Sequence, residues 1–68
     1  MDKHQEIFDR YMALMSDEMK EDIVGYEKLS KEVTLPSYAV RDGAVKVVFK
    51  NGEWLRVYET VSGGIEWY

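Results

Sequence analysis

Four carboxylates crowd residues 17–22 of this chain: Asp17, Glu18, Glu21 and Asp22. On a helix they occupy consecutive turns, a spacing that suits weak attraction of a cation, contact with a basic protein surface, or imitation of phosphates. They do not form a calcium loop, which needs oxygen ligands spread over about twelve residues around a glycine turn. A solvated helix start accounts for the same residues without any ligand, because carboxylates favour the positive end of a helix. His4 is the single histidine. It lies close to the amino terminus, without the ordered partners that catalysis or metal binding requires. The methionines could line an adaptable groove, but core filling is their commoner use.

The sequence offers no catalytic set. There is no cysteine nucleophile, no Ser-His-acid arrangement with an available histidine, no phosphate-binding glycine loop and no zinc-ligand spacing. A chain of 68 residues also leaves little room for a cavity of several hundred Å³, roughly the size of a small-molecule site. The expectation is a protein that is not an enzyme and that uses no cofactor and no metal.

The elements that must position any site follow from length, charge and turn signals. The chain should form a single domain, residues 1–68, near the lower size limit for folding alone. Its stabilising material is apolar and aromatic: two Trp, five Tyr, two Phe and four Met. No run approaches the roughly 18 apolar residues of a membrane-crossing helix, and no apolar leader opens the chain, so the expected setting is cytoplasmic. The net charge of −4 sits on one half: residues 1–35 carry nine acids and five bases, residues 36–68 four of each. An acidic balance of this kind argues against nonspecific nucleic-acid binding.

Residues 1–34 are predicted to be helical. Asp2 followed by Gln5 resembles a capping box. Phe8, Met12, Met15, Met19, Ile23, Tyr26, Leu29 and Val33 then recur at three- and four-residue intervals, as on one face of a helix. One rod of about 29 residues would overhang any short sheet. Ser16, followed by Asp17 and Glu18, is a good second N-cap, and Gly25 weakens a continuous helix. The prediction is a pair of helices, about 3–14 and 17–31, or one bent helix.

Residues 36–68 are predicted to be a four-stranded antiparallel β-meander, with tight two-residue reversals at Asp42-Gly43, Asn51-Gly52 and Ser62-Gly63. Even loops pair Phe49 with Trp54 and Tyr58 with Trp67, placing all four rings on one face beneath the helices. The fold class expected is α+β, with the helical segment packed on one face of the meander. The opposite face then carries Val48, Leu55, Val57 and Tyr68, an apolar strip ringed by Arg41, Lys46, Lys50, Glu53 and Glu59. Such a strip suits another protein or a second copy of this chain. The last strand, Gly64 to Tyr68, is an edge able to accept a partner strand. The function expected is protein–protein interaction or regulation. The alternative is an inhibitor of a nucleic-acid enzyme, of the kind phages deploy, acting through Asp17, Glu18, Glu21 and Asp22.

Overall fold

The computed structural model describes residues 2–68. The first helix, α1 (Lys3–Leu14), begins at Asp2, whose carboxylate accepts from the His4 backbone N–H at 3.0 Å. Gln5 does not reach back as a capping-box residue would. It donates to Asp9 and accepts from the Tyr26 hydroxyl, each at 2.8 Å. A short second helix, α2 (Asp17–Lys20), starts at the expected cap, Ser16, whose hydroxyl accepts from Met19 N–H at 3.2 Å.

Beyond α2 the structure departs from the predicted helix pair. Residues Ile23–Lys28 form strand β1, so the stretch assigned to the second helix supplies one edge of the sheet. Ile23, Val24 and Tyr26 are residue types that favour strands, and Gly25 disfavours a helix. The remaining strands are β2 (Ala39–Phe49), β3 (Trp54–Thr60) and β4 (Ile65–Trp67). All pairs are antiparallel, in the order β1-β2-β3-β4, with α1 against one face: the α+β meander expected, built from a different first strand.

Asp42-Gly43 is consequently not a hairpin. It lies within β2, at a bulge where residues 41–44 stand against Tyr58 alone, between the pairs Val40–Glu59 and Val45–Val57. Gly43 has φ +87°, and α1 passes so close that a Cβ there would lie 2.3 Å from Lys3 Cγ. The left-handed backbone needed for a turn is used here to seat a helix.

The other two reversals exist, but each loop is odd. In the β2–β3 connection Phe49 and Glu53 close a three-residue loop: Phe49 N–H donates to the Glu53 carbonyl, and Gly52 N–H to the Phe49 carbonyl, both at 2.9 Å. Gly52 alone has positive φ, +88°, whereas a type I′ turn would need it at Asn51 as well. This is a type I turn followed by a glycine bulge. The β3–β4 connection repeats it over residues 61–63, with Thr60 and Gly64 closing the loop. Each odd loop moves the register by one residue relative to expectation.

The four rings therefore separate. Phe49 and Trp67 face α1, and Trp54 and Tyr58 face away. The core consists of Ile7, Tyr11, Val45, Val47 and Val57, all fully buried, flanked by Phe8, Met12, Met15, Ile23, Tyr26, Phe49, Leu55 and Ile65. Each such side chain contributes about 1.5–3 kcal/mol on full burial. The helix face is centred on Ile7 and Tyr11, not on the line through Phe8, Met12, Met15 and Met19; Met19 is about half exposed, at 49%. Phe8 stacks on Tyr26 at 4.6 Å, and Tyr11 meets Trp67 edge-on at 5.2 Å.

Candidate functional site

The sheet face turned away from α1 is the site that the corrected register builds. Across its middle run Glu27, Lys46, Arg56 and Tyr68, paired strand to strand; the next row along is Gly25, Val48 and Trp54. Arg56 lies over two rings, 4.7 Å from the centre of Trp54 and 4.8 Å from that of Tyr68. Lys46 adds a second cation over Trp54 at 4.9 Å. Cation–ring contacts of this kind are worth about 0.5–1 kcal/mol each when exposed, and here they hold the side chains flat on the sheet.

One end of this face is covered. The segment joining β1 to β2, residues 29–38, folds over it: the Tyr68 hydroxyl donates to the Thr34 carbonyl at 3.2 Å, and Arg41 donates to the carbonyls of Ser30 and Val33. Tyr58 is almost fully buried beneath it, edge-on to Tyr68 at 6.2 Å and donating to Glu66 at 3.3 Å. Burial, with the neighbouring Tyr38 and Glu66 side chains adding to it, pushes the Tyr58 hydroxyl up to about 12. The open remainder is Lys46, Val48, Trp54, Arg56 and Tyr68, with Tyr68 half exposed.

Of the strip expected on this face, Val48 and Tyr68 are present. Leu55 and Val57 are not: both point to α1, with Val57 fully buried and Leu55 packed on the core. Glu59, expected in the rim, also lies on the helix side. It accepts from Lys3 at 3.0 Å and from Arg10 at 2.8 Å, and these two cations, Lys3 first, hold its carboxyl below the usual carboxylate range. With even loops Trp54, and Arg56 two residues on, would lie beneath the helices; the odd loops place both at the centre of the open face. The signal that separates them is chemical: within β3 the purely aliphatic residues, Leu55 and Val57, alternate with ring and guanidinium side chains at 54, 56 and 58.

The acidic set is where its helix start would put it. Asp17 and Glu18 occupy the first turn of α2, Glu21 and Asp22 follow it, and all four are exposed. Asp17 pairs loosely with Lys20 at 3.8 Å. No group of three or more His, Cys, Asp or Glu side chains among the described residues is placed to hold a metal ion. His4 turns its ring to Asp2 at 3.1 Å, and hydrogen bonds from the His4 backbone and ring hold the Asp2 carboxyl below its usual range. Two open grooves flank the sheet. One, of about 440 Å³, is lined by Asp22, Phe49, Lys50, Asn51, Glu53 and Leu55. The other, of about 410 Å³, includes His4, Lys28, Lys31, Arg41 and Asp42. No helix among the described residues is long and apolar enough to cross a membrane.

Comparison with protein-family models, with curated proteins and with solved structures gives no match for this chain.

Proposed function

We propose that this chain is a small non-catalytic module that binds another protein through the open face of its sheet and the adjoining β4 edge. The observation that carries this is the Arg56 side chain held between Trp54 and Tyr68 in the middle of an uncovered face. Trp, Tyr and Arg are the residue types that dominate binding energy at protein interfaces, and they do so when rigid and central. The edge adds a second contact. Tyr68 and Gly64 spend their backbone groups on β3, so the alternate residues, Ile65 and Trp67, turn theirs outward.

The acidic surface at α2 is a weaker candidate, because it is short and offers charge without an apolar anchor. The same proposal sets the module in the cytoplasm, since small secreted domains usually rely on disulfides and this chain has no cysteine. The test compares partner capture from the source cells by the wild type, Trp54→Ser and Glu21→Lys, all checked for folding by circular dichroism. The expected result is a set of proteins retained by wild type and Glu21→Lys and lost with Trp54→Ser. A set lost only with Glu21→Lys, or recovery of nucleic acid in place of protein, overturns the proposal.

A further inference from the structure

The open face sets two cations against each other. Lys46 and Arg56 are direct cross-strand partners, and like charges opposite one another destabilise a sheet. Neither makes a salt bridge or side-chain hydrogen bond among the described residues, whose ion pairs join Lys3 and Arg10 to Glu59, His4 to Asp2 and Lys20 to Asp17. Glu27, the neighbour of Lys46 on β1, lies beyond ion-pair range, and Glu66 accepts from Tyr58 instead. The Arg56 guanidinium is thus half buried, fixed between two rings, and carries N–H donors that the protein leaves unused. A planar fork held in this way is organised in advance for a two-oxygen anion.

Resting on the protein-binding reading above, we propose that the partner segment is an acidic, extended stretch of another protein. One of its Asp or Glu carboxylates binds Arg56 and Lys46, while its apolar neighbours lie on Val48, Trp54 and Tyr68. Charge complementarity selects this occupant: the carboxylate relieves the like-charge pair. An extended backbone is favoured over a free anion because the strip beside Arg56 and Lys46 continues into the apolar side chains of Val48, Trp54 and Tyr68, so that one segment lying across the face meets both the cations and the rings.

The test uses a capped peptide of alternating Glu and Val, and its twin with Gln for Glu, titrated against the full chain. Tryptophan fluorescence and the NMR signals of the Trp54 indole and Arg56 Nε report binding. The Glu peptide should bind at those residues, about tenfold more tightly than the Gln twin, as a charge-assisted pair on a held guanidinium allows, and its affinity should fall as salt rises. The double variant Lys46→Gln/Arg56→Gln should erase the preference for Glu. The peptide pair and the salt series need no variant, so a folding defect in the double variant does not blunt the test. Equal binding of the two peptides overturns carboxylate recognition and leaves the protein-binding proposal standing. Failure of both peptides, with partner capture unchanged by Trp54→Ser, removes both. Displacement of the Glu peptide by inorganic phosphate at comparable concentration, or self-association that Arg56→Gln abolishes, identifies a different occupant and overturns the inference.

Discussion

Replacing Gly43 by Ala isolates the contact on which the helix rests. Two costs add. At φ +87° a side chain costs about 1–2 kcal/mol in backbone strain, offset by somewhat under 1 kcal/mol because alanine restricts the unfolded chain. The new Cβ would also stand 2.3 Å from Lys3 Cγ and 3.3 Å from Ile7 Cγ1, where carbon atoms pack comfortably at about 3.5–4.0 Å. The Lys3 side chain must swing away from its place over the bulge, or the start of α1 must retreat, and overpacking of this kind costs about 1–3 kcal/mol. The total is about 1–4 kcal/mol, a large share of the roughly 3–10 kcal/mol expected for a domain this size. At about 4–8 °C per kcal/mol, the midpoint should fall by roughly 5–30 °C. Two other glycines are internal controls. Gly52 shares the backbone conformation, at φ +88°, but a Cβ there meets nothing within 4 Å, and Gly25 has neither constraint. Thermal denaturation followed by circular dichroism should rank the alanine variants Gly25, Gly52, Gly43 in falling stability. If Gly43→Ala melts with Gly52→Ala, the helix does not sit on the bulge and the account of β2 is wrong.

Two further outcomes follow from the corrected faces. Leu55→Arg should abolish cooperative unfolding or lower stability by about 3 kcal/mol or more, because it places a charge beneath α1; a variant that melts like the wild type would return Leu55 to the open face. Glu59→Gln should lose stability in a pH-dependent way. The Glu59 carboxyl is held below its usual range in the folded chain by Lys3 and then Arg10, so its contribution is complete above the unfolded value of about 4.3 and disappears as pH falls through the lowered folded value. Melting curves of wild type and variant should therefore be separate at neutral pH and converge in acid; a constant gap down to about pH 2 contradicts the pairing.

What the sequence made legible was local. Asp2 and Ser16 act on backbone groups two or three residues away, so both helix starts could be read without knowing the rest of the fold. The strand β1 could not. In it Tyr26 and Lys28 share a face, but a bulge separates Ile23 from Gly25 and erases the period of two that marks a strand. What remains, Ile23, Tyr26, Leu29 and Val33, fits helical spacing equally well. Asp42-Gly43 failed for a related reason. Its chemistry permits positive φ, and Gly43 has it, but whether the chain reverses there depends on which strand stands alongside. Once residues 23–28 supply an edge strand, the meander already has its four members, and the same dipeptide becomes a bulge.

The loop parity carries the functional consequence. Asn51-Gly52 satisfies a two-residue type I′ turn and a three-residue turn with a glycine bulge alike; the two differ in the sign of φ at Asn51, which the residue type leaves open. Two odd loops shift the register twice, so Trp67 returns to the helix side, where even loops also placed it. Its agreement with expectation came from two cancelling shifts. Only β3, between the loops, records the difference, and there the exchange is complete: Leu55 and Val57 enter the core, and Trp54, Arg56 and Tyr58 leave it. The physical preference is clear in hindsight. Aliphatic side chains opposite Val45 and Val47 add no polar atom to a core whose Tyr11 hydroxyl already lacks a hydrogen-bond partner among the described residues, whereas a guanidinium on that face would have had to bring its donors beneath α1. Of the residues that the core rejected, Tyr58 is covered by residues 29–38, and Trp54 and Arg56 stay on the open face. A sequence reading that weighs aliphatic against amphipathic side chains within a strand, before assigning its turns, would have found the register and the candidate site together.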